Sequence, residues 1–169
     1  SLPWDAAFVG APQVVNAGPR DLRLFYHSFD AETRKWTVGL ARSDDGLKWR
    51  RWGGGGADDR GVFAGGGHRH DAGGAAARHV VRDAASGQWV MVYEAVAADG
   101  ARSIGGAVSA DGLGGWVASA TPLLSASPDP AAWDAGGVGG PCLVPMAGGR
   151  WRLYYAGRGK GEGGGAADG

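Results

Sequence analysis

Acidic side chains recur along this sequence at nearly equal intervals. Asp5, Asp71 and Asp134 lie 66 and then 63 residues apart. Each follows a ring-bearing residue, Trp4, His70 or Trp133, and each stands seven residues before a short apolar run headed by Pro12, Arg78 or Pro141. A fold that repeats at this interval would gather the three carboxylates into a ring around an axis. Such a ring can accept hydrogen bonds from a polyol or exchange protons with a reacting group. The same recurrence also fits turn or capping residues that hydrogen-bond the loop leading into each unit. Repetition favours that second role, because catalysis needs different groups on different units.

The middle copy departs from the pattern, and a departure from a repeat is where a site can be grafted. His68-Arg69-His70-Asp71 replaces the tryptophan-aspartate pair, and Arg78 and His79 stand where the other copies have Pro12-Gln13 and Pro141-Cys142. Arg78 is a candidate fork donor to a sugar or a phosphate. His68, His70 and Asp71 could be read as metal ligands, but no accompanying ligand motif supports that and no metal is assigned. A solvated polar loop remains the plain alternative. Glu94 follows Tyr93 at the place where the other copies have His27 and Ala156. A strand-end carboxylate beside apolar groups keeps its proton more readily, as a general acid must. A solvated strand-end glutamate is the competing reading. Asp71 and Glu94 are therefore the candidate catalytic residues, and His70, Arg78 and Trp52 the candidate substrate contacts. Trp52 is included because it lies outside the repeat register. Trp89/Trp151 and Trp49/Trp116 fall at equivalent places and are expected in the core. The glycine runs at 53–56 and 65–67 lack the Lys-Ser/Thr ending and strand-to-helix setting of a phosphate cradle. No cofactor is implied. Cys142 is expected to behave as a small buried hydrophobe.

These residues need elements to hold them. Pro12-Gln13-Val14-Val15, Arg78-His79-Val80-Val81 and Pro141-Cys142-Leu143-Val144 predict a first strand in each copy. Leu22/Leu24/Tyr26, Trp89/Met91/Tyr93 and Trp151/Leu153/Tyr155 share a period-two face and predict a second. Residues 38–43 and 104–109 predict a third. Asp45-Gly46 and Asp111-Gly112 then predict tight hairpins, with both central residues at positive φ, leading to fourth strands that begin at Trp49 and Trp116. Four antiparallel strands repeating at about 65 residues describe a propeller blade, a unit that buries its faces only by stacking on neighbours. No segment carries a helical apolar period. The fold class expected is all-β, with about three four-stranded blades in one domain over residues 1–169, the copies spanning about 4–69, 70–132 and 133–169.

Composition agrees with this. Thirty-four of the 169 residues are glycine, and eight are tryptophan. Many turns with large core aromatics reconcile the two. The 17 basic and 17 acidic residues cancel, which gives no electrostatic case for nucleic acid. No apolar run approaches a bilayer span, so membrane insertion is not expected. One cysteine excludes an internal disulfide framework and fits a reducing compartment. The third copy dissolves after Arg158 into a glycine-rich stretch, and Ala166-Ala167-Asp168-Gly169 echoes a third-strand turn with no fourth strand after it. Propellers close with four or more blades, so an open edge is expected that further blades or a protein partner would cover.

Trp133–Val144 with Gly149–Gly157, and Ala41–Trp49, resemble the blade repeat of the five-bladed arabinanase, levansucrase and invertase superfamily, which includes glycoside hydrolase families 43 and 32. The Ser-Asp-Gly-Trp turns also resemble a sialidase-type Asp box, with the spacing one residue off in the first copy. The superfamily resemblance implies a five-bladed propeller that binds or hydrolyses a glycan at an axial funnel. It also implies a catalytic aspartate directly before the inner-strand proline or its equivalent. Those positions are Ala11, Ala77 and Gly140, and none is acidic. The alternative is a non-catalytic propeller serving as an interaction scaffold in a larger assembly.

Overall fold

A computed structural model describes residues 4–53 and 60–161. The first blade is a four-stranded antiparallel sheet of β1 (Gly10–Gly18), β2 (Asp21–Asp30), β3 (Lys35–Ser43) and β4 (Arg50–Trp52). The second repeats it with β5 (Gly74–Arg82), β6 (Trp89–Val96), β7 (Arg102–Ser109) and β8 (Val117–Ala118). A single parallel bridge, Trp36 to Gly74, joins these two blades edge to edge. The third copy contributes β9 (Gly137–Pro145) and β10 (Trp151–Arg158), an antiparallel pair. Among the described residues there is no α-helix. The echo of a third-strand turn at 166–169 and most of the glycine run at 53–56 lie outside the described residues.

Strand alternation sends the second blade's side chains to two neighbours. Trp89, Met91 and Tyr93 of β6 pack toward the first blade with Phe25, Val38, Leu40 and Val80. Val92, one step out of phase, packs toward the third blade with Ile104, Val138 and Leu143. Each fully buried side chain of this size contributes roughly 1.5–3 kcal/mol. Polar clasps register the seams. Gln13 exchanges two hydrogen bonds with the Val80 backbone, both 2.8 Å. At the next seam the equivalent residue, His79, accepts from Leu143 N–H through Nδ1 at 3.3 Å. Arg23 donates to the Asp111 carbonyl and lies 4.4 Å over the Trp89 ring.

Three expectations need correction. The Asp-Gly turns are not two-residue hairpins. Gly46 and Gly112 have positive φ, but Asp45 and Asp111 do not. Instead the Ser43 and Ser109 hydroxyls accept from Gly46 and Gly112 N–H, and Asp45 and Asp111 cap the next two backbone amides of longer loops. The fourth strands begin one residue after Trp49 and Trp116. Trp151 is 37% exposed where its counterpart Trp89 is 3% exposed. Trp89 lies against Arg23 and beneath its own blade's turn at Gly112, and Trp151 has neither neighbour among the described residues.

Each first strand also carries one extra residue at the same place. The register slips between Gly10 and Gln13, between Ala75 and Arg78, and between Gly139 and Cys142. These bulges bend the strand end and re-aim what it presents. Ala11 (φ 47°) and Gly140 (φ 54°) adopt left-handed backbone there.

Close packing on the second strand fixes the third. Gly39 and Gly105 lie flat against the Tyr26 and Tyr93 rings, and a methyl group at either would overlap the ring. Gly105→Ala is expected to destabilise the fold by about 1–3 kcal/mol. Gly114→Ala, which meets nothing within 4 Å, should stay within about 0.5 kcal/mol of the parent. Urea denaturation of the two variants checks this, and equal midpoints would contradict it.

Candidate functional site

The three repeating aspartates have the same partner. Tyr26 donates to Asp5 at 2.8 Å, Tyr93 to Asp71 at 2.8 Å and Tyr155 to Asp134 at 3.1 Å. Burial first, then the carboxylate, pushes each phenol above its ordinary pKa. The surroundings differ. Asp5 also pairs with Arg51 at 2.7 Å. Asp71 is 0% exposed and accepts from Gly66 N–H and His68 N–H, both at 2.7 Å. Asp134 has Tyr155 as its one hydrogen-bond donor among the described residues. Trp4 stacks on Tyr26 and Trp133 on Tyr155, while His70 stacks on His68 and Phe63 meets Tyr93 edge-on. The expected catalytic role of Asp71 does not fit this geometry. Both oxygens are consumed by scaffold donors and neither reaches solvent.

Glu94 stands in a different setting. It points from β6 into the seam between the second and third blades, at the bulged end of β9. There it forms an ion pair with Arg102 of β7 and accepts from Gly140 N–H at 3.2 Å. A side chain at Gly139 would collide with the Glu94 carboxylate. The carboxylate therefore fills the space that the inner strand leaves vacant. It forms one wall of a cleft of about 300 Å³, shared with Arg102, residues 137–140, Ala156 and Arg158. Beside the apolar Val138 and Ala156 of this cleft, the carboxylate also meets an opposite charge and an N–H donor. Burial first, and then the Arg158 charge, lowers Arg102 from its ordinary pKa.

Arg78 sits one position from Glu94 across the β5–β6 ladder, opposite Tyr93, and faces the first blade. It is 6% exposed and donates one hydrogen bond, to the Phe25 carbonyl. Its Nε and Nη1 are buried with no hydrogen-bond partner among the described residues. Burial brings its pKa down to about 10. His27, the repeat equivalent of Glu94, is pushed down to about 4, by burial first and then by the Arg78 and Arg102 charges. Its Nδ1 is also buried without a partner.

The other candidates do not converge on the cleft. Trp52 is on the outermost strand of the first blade, under Arg42 at 4.9 Å, and opens onto the turn at 110–115. That turn is at the Trp89 end of the second blade, five residues or about 17 Å of strand from Glu94. His70 lies 4.0 Å from Asp71 inside the blade. His68, His70 and Asp71 form no metal-holding group, nor does any other set of three such side chains among the described residues. Arg102, Arg158 and the Asp–Tyr pairing were not anticipated from the sequence. The pairing does leave a signal, since aspartate and tyrosine are separated by 21, 22 and 21 residues in the three copies.

No protein-family model matches the sequence, and no curated protein matches it. Solved structures do share the fold. An N-acetylgalactosamine deacetylase from F. plautii aligns with a TM-score of 0.64 at 20% identity, over 85% of this chain and 39% of that one. An α-L-arabinofuranosidase from Clostridium thermocellum aligns at 0.59 and 17% identity, over 85% and 45%. An endo-arabinase from Bacteroides thetaiotaomicron aligns at 0.56 and 18% identity, over 88% and 51%. The chain thus spans about two fifths to one half of these proteins. At such identities the likeness is one of fold, and it establishes the β-propeller architecture.

Two outcomes follow from this geometry. Asp71→Ala strands three donors and should cost about 3 kcal/mol or more, whereas Asp134→Ala strands one and should cost about 1 kcal/mol. Denaturant midpoints for the two variants check the order. His27 is neutral in the folded state because its pKa lies below the unfolded value of 6.5. Protonation therefore favours unfolding. Its contribution to stability is present above pH 6.5 and is lost as the pH falls through about 4. The pH dependence of stability across that window should flatten in His27→Gln.

Proposed function

We propose that this chain belongs to a five-bladed carbohydrate-active propeller and binds a glycan in the cleft at the seam of the second and third blades. The observation that carries this reading is the placement of Glu94. Its carboxylate is brought across from the neighbouring blade to the bulged end of β9 and is held there by Arg102 and Gly140 N–H. Those two donors leave acceptor capacity on the carboxylate for sugar hydroxyls. A charged acceptor fixed in this way orients a polyol. The fold is also that of proteins whose described activities are on sugars.

Hydrolysis needs a second carboxyl about 5–5.5 Å or 6.5–9.5 Å from the first, depending on stereochemistry. Glu94 is the one carboxylate among the described residues that line the cleft. Glu94 therefore serves this stretch as a positioning acceptor, and Asp71 belongs to the scaffold. Arg102 is the residue that sets the Glu94 rotamer.

Calorimetric titration with neutral and acidic oligosaccharides tests this. Glu94→Gln should weaken binding of whichever oligosaccharide is taken up by about ten-fold or more, a loss of about 1.4 kcal/mol, with the thermal unfolding midpoint held. Trp52→Ala should leave the affinity unchanged. A parent protein that binds none of the oligosaccharides would overturn the reading.

A further inference from the structure

The charges around the bulged strand ends do not balance. Arg102 and Arg158 line the cleft, and Glu94 is the one carboxylate facing them among the described residues. Arg78 lies one ladder position from Glu94 on the opposite face of the second blade, so a third guanidinium adds to the same end. Among the described residues it has no carboxylate partner, and two of its nitrogens are buried without any acceptor. An uncompensated buried cation costs several kcal/mol. Asp71 gives no relief, because both its oxygens are taken by Tyr93, Gly66 and His68. The field of these groups is felt nearby. Arg78 and Arg102 both act on His27, and Arg158 acts on Arg102. His27 and His79 remain neutral at neutral pH and add no charge of their own.

From this arrangement we infer that the cleft selects glycans carrying a carboxylate, an acidic sugar such as a uronic acid, with Arg158 receiving the acid group at the mouth. The inference rests on the glycan reading above and names its substrate class. Arg158 is the group suited to that contact. It is exposed at the end of β10, and its guanidinium lies beside Gly137. Arg102 is already committed to Glu94, and Arg78 is enclosed. Those two supply the background potential, which weakens slowly with distance in a partly buried cleft. Glu94 stays available to the neutral hydroxyls of the same sugar. A neutral glycan would gain the Glu94 contacts and nothing from the three cations.

The test is titration of the unmodified protein with an oligogalacturonate and with the same oligomer methyl-esterified, at low and high salt. The acidic oligomer should bind about ten-fold or more tightly than its ester, and added salt should erode the difference. Arg158→Gln, an exposed substitution that leaves the core untouched, should abolish the difference in affinity between the acidic oligomer and its ester. Equal affinity for acid and ester in the parent would overturn the inference while leaving the glycan reading intact. Binding of neither would overturn both. Inorganic phosphate binding as tightly as the oligomer would overturn the sugar carboxylate as the anion recognised.

Discussion

A hydrogen bond from a tyrosine hydroxyl to an aspartate, buried in the first two copies and half-buried in the third, recurs in all three copies. Tyr26, Tyr93 and Tyr155 occupy the same place on the second strand, and Asp5, Asp71 and Asp134 the same place ahead of the first. The bond ties the incoming loop to the sheet it is about to enter. It also explains the flanking glycines, since Gly39 and Gly105 clear the space the phenol rings need. The constraint is strictest in the first two blades, where both partners are removed from water. Leaving either one unpaired carries the full desolvation penalty. The most enclosed of the three aspartates, Asp71, recruits two backbone amides as well.

With the repeat positions committed to structure, chemistry can enter only where the copies differ. The residue after each tyrosine is such a place: His27, Glu94 and Ala156. Glu94 lies at the bulged end of the second seam, points toward the third blade and has no part in the Asp–Tyr lock. In the second blade it supplies a carboxylate that leans over to the third and fills the gap above Gly139. Small residues at Ala11, Ala77 and Gly140 would weaken an acid site built by each first strand for itself. At the second seam the acid arrives from the neighbouring blade instead.

Much of the fold was legible in the sequence because strands reveal themselves by alternation. Leu22/Leu24/Tyr26 and Trp89/Met91/Tyr93 mark second strands, and both fall where the structure has them. Turn chemistry was less legible. Asp45-Gly46 looks like a two-residue hairpin, yet the loop is longer, with Ser43 ahead of the dipeptide accepting from Gly46 N–H and Asp45 accepting from Leu47 N–H beyond it. The candidate site was legible in part. Glu94 stood out as a departure from the repeat, but its partner Arg102 comes from the following strand and Gly140 from the following blade. Pairing of that kind is set by blade stacking, which spacing does not record. Asp71 drew attention because its neighbours His68 and His70 break the pattern. The break reflects a local repacking in which Phe63 meets the Tyr93 ring and His70 stacks on His68. Trp52 was out of register because it ends a short outer strand far from the seam.

The central claim is that Asp71 works through Tyr93 to hold the blade while Glu94 works at the cleft. A double-mutant cycle on Asp71→Asn and Tyr93→Phe, read by denaturant unfolding, tests it most directly. The account predicts a coupling energy of about 1–3 kcal/mol between the two positions, with oligosaccharide affinity unchanged in Tyr93→Phe. Additive effects on stability, together with loss of binding in Tyr93→Phe, would place the pair in the binding site and contradict it.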